Sequence, residues 1–254
     1  MPWPLLDRWL AAAPEPARTD WLKDHHYAHR GLHGGDVVEN SPGAFAAAIA
    51  AGMGVECDVQ KSRDGRAIVF HDADLDRLTA EAGPLAARSV GELTRIALRG
   101  SGERIPTLHD LLAQTRGAVP LLIEIKSHRD RPVSSLCAAV RRNLEGYGGP
   151  YAVMSFDPRV VRWFARQAPA IPRGLVVTEQ GRKGWRGRAG RHFALWQSCA
   201  NFLACDIRDL PSRFAAAQRA RGLPVLTWTV DSAELLDRAK NHADAPIVEG
   251  EGVA

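Results

Sequence analysis

Apolar, β-prone runs recur along the chain at 27–29, 55–60, 67–70, 121–126, 152–156, 174–177, 202–206, 225–230 and 247–249. Between most of them lie stretches with helical spacing, at 42–51, 107–115, 133–145, 158–167, 211–221 and 232–241. Strand alternating with helix predicts βαβ units on a parallel sheet. Eight such units close into an α/β, TIM-like (β/α)8 barrel of about 250 residues, and the chain has 254. Nine runs are one too many, and the six residues between Gln60 and Ala67 resolve the excess. A parallel crossover needs about a dozen residues, whereas Asp64-Gly65 is a hairpin-turn dipeptide. The run 67–70 is therefore predicted to return antiparallel to 55–60, as a hairpin extension rising off one barrel strand. Segment 72–106 is expected to form a small insertion after it. Residues 1–24 are expected to be a helical extension packed on a single barrel domain spanning 25–254.

The strand at 55–60 carries the first chemistry. Glu56 and Asp58 are two positions apart, so they point to the same side. Paired hard anions make a poor apolar core and half of a divalent-metal site. His71 ends the returning strand, thirteen residues after Asp58, and can move protons at neutral pH. In L-L-I-E-I-K (121–126), Glu124 and Lys126 share a face at the C-terminal end of a strand, where barrels keep their sites. Glu124 is the candidate third carboxylate and Lys126 a point charge for a phosphate. The first strand ends in His29 and Arg30, a second histidine and a planar fork for phosphate oxygens. Together these residues point to metal-assisted hydrolysis of a phosphoester, with His29 and His71 dividing acid and base duties.

Other features read differently. Ser41, ahead of Pro42, suits a helix N-cap, and Asn40 remains open between cap and site. In V-L-T-W-T-V, the pattern alone places Trp228 in the core. His25, His26 and His33 have no spacing partners and read as surface residues. The run 180–192, with Arg182, Lys183, Arg186, Arg188 and Arg191 around Trp185, reads as a solvated basic loop, with weak membrane-surface or anionic-ligand contact as the other reading.

Composition narrows the class. A 45% hydrophobic and 24% charged chain is globular, and its net charge of +4 weakly favours anionic ligands. Neither a nucleic-acid module nor an aromatic-basic repeat is present, so no nucleic-acid partner is expected. Cys57, Cys137, Cys199 and Cys205 have no paired or zinc spacing and are expected to be reduced. The N-terminal apolar run is interrupted by Asp7 and Arg8, so no signal peptide is expected. No stretch approaches the roughly 20 apolar residues of a membrane span. The expectation is a cytoplasmic monomer or homodimer acting on a small-molecule phosphodiester.

The motifs A-H-R-G, E-N-S-P-x-A-F, E-C-D-V-Q, D-G-x-x-I-V-F-H-D-x-x-L-D-R-L-T, I-P-T-L, L-I-E-I-K, S-F-D-P and T-W-T-V occur in this order from about residue 27 onward. Together they resemble the glycerophosphodiester phosphodiesterases. The resemblance implies a TIM-like barrel that hydrolyses glycerophosphodiesters to glycerol 3-phosphate and an alcohol. It implies one divalent cation, Mg2+ or Ca2+, on Glu56, Asp58 and Glu124, and an acid–base pair of His29 and His71. Arg30 and Lys126 match phosphate-contacting positions, Glu39 belongs to the E-N motif, and Trp228 matches a residue flanking the glycerol. Family members commonly end in a D-G-I-I-T-D-x-P-like strand, where this chain has A-D-A-P-I-V-E-G-E-G. Glu249 thus stands where an aspartate is expected, one methylene longer. Two other functions compete: a phospholipase D-like activity on lysophospholipids or sphingolipids, and a non-catalytic phosphate- or lipid-binding module. The second predicts a missing ligand or histidine, and all five positions are filled.

Overall fold

A computed structural model describes residues 3–127 and 132–253. Its strands are β1 (Tyr27–Ala28), β2 (Gly54–Lys61), β3 (Ala67–Val69), β4 (Leu121–Ile125), β5 (Tyr151–Ser155), β6 (Arg173–Val177), β7 (Phe202–Asp206), β8 (Val225–Val230) and β9 (Ala245–Val248). Its α-helices are α1 (Trp3–Leu10), α2 (Pro16–Thr19), α3 (Pro42–Ala50), α4 (Val90–Leu93), α5 (Leu108–Thr115), α6 (Ser134–Leu144), α7 (Pro158–Gln167), α8 (Trp185–Ser198), α9 (Arg213–Ala220) and α10 (Ala233–His242). Two compact units account for the chain, Tyr27–Tyr151 and Met1–His26 with Ala152–Ala254.

In the unit Tyr27–Tyr151, β1 and β4 both run parallel to β2. β3 runs antiparallel to β2, pairing Val59 with Val69 across the Asp64-Gly65 turn, as the short gap required. Gly54 starts β2 because a Cβ there would lie 2.5 Å from the ring of buried Tyr27. The insertion after the hairpin has its own small core of Ile68, Phe70, Leu75, Leu85, Leu93, Leu98 and Ile105. Each such buried side chain is worth roughly 1.5–3 kcal/mol, so this long connection holds a fixed shape. Ser89 and Glu92 close a capping box on α4, and Thr107 and Asp110 do the same on α5.

In the other unit, β5 to β9 form a parallel run in sequence order. Asp157 caps α7 by accepting the N–H of Arg159, and Val160, Val161 and Phe164 bury the inner side of that helix. α1 is held by buried Asp7, which pairs with His192 at 2.9 Å and accepts hydrogen bonds from Trp196 and Gln218, both at 2.7 Å. Three parallel strands here and five there make the eight that the pattern predicts.

Three expectations need correction. The basic stretch expected to be a loop becomes helical from Trp185 onward, and Arg191 is buried against Glu179 at 2.8 Å. The last strand is Ala245–Val248, so Glu249 lies just beyond it. His26 is exposed as expected, whereas His25 and His33 are half-buried. All four cysteines are free thiols, and no helix among the described residues is long and apolar enough to cross a membrane.

Candidate active site

Alternation along β2 turns Glu56, Asp58 and Gln60 to one side, and all three are buried. The parallel register with β4 sets Asp58 beside Glu124. Carboxylate oxygens of Glu56, Asp58 and Glu124 lie within 4.8 Å of one another. Lys126, just past β4, donates its backbone N–H to Val59 and places Nζ 2.8 Å from Asp58 Oδ1 and 2.6 Å from Glu124 Oε1.

The end of β1 supplies the next groups. Its register pairs Ala28 with Val55, so the chain leaves β1 at the level of Glu56. There the backbone N–H of Arg30 donates to Glu56 Oε2 at 3.0 Å. The chain must turn tightly at this point: Arg30 and Gly31 have φ of 55° and 78°, and a Cβ on Gly31 would lie 2.8 Å from Ala44 of α3. Glycine meets both demands. The Arg30 guanidinium donates to Glu39 at 2.8 Å and lies 3.2 Å from Asp58 Oδ2. Asn40, with φ 56°, occupies the left-handed region that asparagine tolerates. Its Nδ2 donates to Asp58 Oδ2 at 2.9 Å, and its Oδ1 accepts the Asp58 N–H at 3.2 Å. Ser41 caps α3 by accepting the N–H of Ala44.

The charges do not balance evenly. Two cations, Arg30 and Lys126, meet three buried carboxylates, and Arg30 is shared with Glu39. Both favour Asp58. Burial pushes its carboxyl up, but Lys126 and Arg30 outweigh that and hold it at about 2. Glu56 is raised well above the usual carboxylate range, by burial first and then by Asp58 and Glu124. Glu124 is also raised, burial outweighing the pull of Lys126. Surplus negative charge on three convergent oxygen ligands is what a hard divalent cation stabilises. The donor set fits Mg2+ or Ca2+.

The hairpin brings the histidine back. Phe70 donates its N–H to the Asp58 carbonyl at 3.0 Å. The Gln60 amide donates to the carbonyls of Phe70 (3.2 Å), His71 (2.9 Å) and Asp72, fixing the turn that carries His71. His71 Nδ1 lies 2.7 Å from Asp72 Oδ1. Arg77 joins Asp72 to Glu39, donating to both. Burial lowers the His71 imidazole below its ordinary value, with Asp58 only partly opposing.

One unit therefore holds Glu56, Asp58, Glu124, Arg30, Lys126, Glu39 and His71, with His29 half-buried at the end of β1. Trp228 and Glu249 belong to the other unit. Trp228 is half-buried rather than core: its Nε1 donates to the Ala204 carbonyl at 2.9 Å, and its ring meets Phe156 edge-on with centroids 5.4 Å apart. Glu249 donates its N–H to the Val230 carbonyl at 3.0 Å. Sequence reasoning passed over Gln60, Asp72 and Arg77 and left Asn40 open. Gln60 shares the alternation of Glu56 and Asp58, and Asp72 follows His71, so both carried a signal. Arg77 lies within the D-R-L-T motif, but its link to Glu39, 38 residues away, has no local pattern to reveal it.

The chain is similar to known proteins in both sequence and fold. The sequence profile of the Glycerophosphoryl diester phosphodiesterase family matches residues 29–247. A glycerophosphodiester phosphodiesterase of Caldanaerobacter subterraneus is 27% identical over 223 residues, covering 83% of this chain and 87% of its own length. An Oleispira antarctica phosphodiesterase, solved with the product sn-glycerol-3-phosphate, superposes with a TM-score of 0.75 at 24% identity, covering 88% of this chain and 92% of that one. The glycerophosphodiester phosphodiesterase of Thermotoga maritima gives 0.70 at 23% identity, covering 87% and 92%. These likenesses show that the fold is a TIM-like (β/α)8 barrel. With the profile spanning most of its length, the chain belongs to the glycerophosphoryl diester phosphodiesterase family.

Proposed function

We propose that the chain hydrolyses glycerophosphodiesters to glycerol 3-phosphate and an alcohol, by acid–base catalysis with His71 and His29 beside a divalent-cation site. The observation that carries this reading is the buried trio Glu56, Asp58 and Glu124, short of positive charge and adjoining an oriented histidine. Glu56, Asp58 and Glu124 would hold Mg2+ or Ca2+, which would supply Lewis acidity to the phosphoryl group. Lys126 and Arg30 add fixed positive charge that favours the growth of negative charge on the phosphoryl group. Glu39 and Asn40 keep Arg30 and Asp58 in place.

Asp72 accepts the Nδ1 proton of His71, which leaves Nε2 to take a proton from the nucleophile. With its basicity lowered by burial, the ring is neutral at neutral pH and suited to that step. His29 then protonates the departing alcohol. The nucleophile is either the neighbouring glycerol hydroxyl, giving a cyclic phosphate that water then opens to glycerol 3-phosphate, or water directly. By resemblance, Trp228 is a wall flanking the glycerol, and Glu249 takes a substrate-binding position where the family commonly has an aspartate. The test is release of glycerol 3-phosphate from glycerophosphocholine before and after EDTA, and after Mg2+ or Ca2+ is restored. Loss and recovery are expected, and activity surviving complete chelation overturns the cation's role.

A further inference from the structure

α1 reads W-P-L-L-D-R-W-L, and one side of it is fixed. Trp3 stacks on His192 with centroids 4.9 Å apart, and buried Asp7 holds His192, Trp196 and Gln218. The i,i+4 pairs Leu5/Trp9 and Leu6/Leu10 then form a continuous apolar strip on the helix, and all four are exposed, Trp9 at 88%. Phe193 of α8 is 59% exposed and meets Trp196 edge-on at 5.1 Å. It therefore adjoins the residues that hold α1, and the strip continues onto α8. Two turns earlier on α8 stands Trp185, 73% exposed, with the Arg186 guanidinium 5.3 Å from its ring centroid.

The exposed charges of α1 and of residues 180–198 are all basic. Arg8, Arg182, Lys183, Arg186 and Arg188 are all exposed, and residues 180–198 include no Asp or Glu. A cavity of about 550 Å3 opens between β6 and α8, with Val176 and Val177 on one side and Arg182, Arg186 and Arg191 on the other. Arg191 is buried, and its Nε has no hydrogen-bond partner.

We infer that the α1–α8 face docks on an anionic lipid bilayer, with Trp9, Trp185 and Phe193 as interfacial anchors and the flanking arginines and lysine against the headgroups. Tryptophan rings favour the membrane interface, and basic residues are drawn to anionic leaflets. A second copy of the chain fits less well, because a symmetric contact would set the same five cations against themselves. The inference does not depend on the phosphodiesterase reading.

The full chain is sedimented with vesicles of phosphatidylcholine alone and of phosphatidylcholine with phosphatidylglycerol. Binding to the anionic vesicles, weak binding to the neutral ones, and release by salt are expected. Each cation at such a surface is worth about 1 kcal/mol, roughly a fivefold change in partition, so Arg182→Ala with Arg186→Ala should lower it about 25-fold. Trp9→Ser should lower it as well. Both variants change exposed side chains, and unchanged unfolding midpoints verify their fold. Equal binding to both vesicle types, no binding to either, or variants that bind like the parent chain overturn the inference. So does a dimer that Trp9→Ser dissociates while vesicle binding is unaffected, since that assigns the face to self-association.

Discussion

Asn40→Ala tests the architecture of the carboxylate trio without touching a proposed ligand or acid–base group. The substitution removes the donor to Asp58 Oδ2 and the acceptor of the Asp58 N–H, both in a buried setting. A hydrogen bond to a charged group is worth about 1.5–3 kcal/mol, and a stranded buried N–H costs about 1–3 kcal/mol. The φ of 56° adds about 1 kcal/mol for a side chain that cannot bond locally. The expected loss is therefore about 3.5–7 kcal/mol, at the high end for a single substitution. It should be read by urea unfolding of the cation-free chain at neutral pH. Loss of such an outer partner typically weakens metal affinity about 10–100-fold. The cation concentration giving half-maximal hydrolysis should rise by that factor, while His71 keeps its own supports. An unfolding shift under about 1 kcal/mol, together with an unchanged cation midpoint, would refute the role assigned to Asn40.

The remaining predictions concern the histidine and the N-terminal helix. His71→Ala should lower turnover about 10²–10⁴-fold with the cation midpoint unchanged, and near-normal turnover removes His71 from the mechanism. Because burial lowers the His71 imidazole, the acidic limb of kcat/KM should fall below the ordinary histidine value of 6.5, the base being lost as pH drops through the lowered value. Asp72 raises that value, so Asp72→Asn should move the limb to still lower pH and reduce kcat, and a limb shifted upward contradicts the pairing. Asp7→Ala strands buried His192 and Gln218 and half-buried Trp196, and should cost about 3–5 kcal/mol in unfolding experiments, with kcat of the folded fraction unchanged.

The strand count was legible because most runs alternate with stretches of helical spacing, and the hairpin because six residues cannot make a crossover. α8 was not, for a physical reason. Its buried side includes Arg191 and His192, whose partners Glu179 and Asp7 lie elsewhere in the sequence, and Gly187 and Gly190 weaken helix propensity further. Charged residues that face inward erase the apolar stripe by which a helix is read. In the site, alternation paired Glu56 with Asp58 and found Glu124. The connections through Asn40 and Arg77 depend on left-handed backbone at Arg30 and Asn40 and on the folded insertion, and neither leaves a periodic signal.

The alignment of β2 with β4 places Asp58 across from Glu124, whose immediate neighbours are Ile123 and Ile125. Side chains alternate, so a slip of one residue would replace a carboxylate with isoleucine and turn the charge away from its partners. The chemistry thus works as a gauge of strand alignment. A molecule that misaligns these two strands while folding loses its cation site at the same step, and any molecule that turns over substrate through that site has β2 and β4 in register.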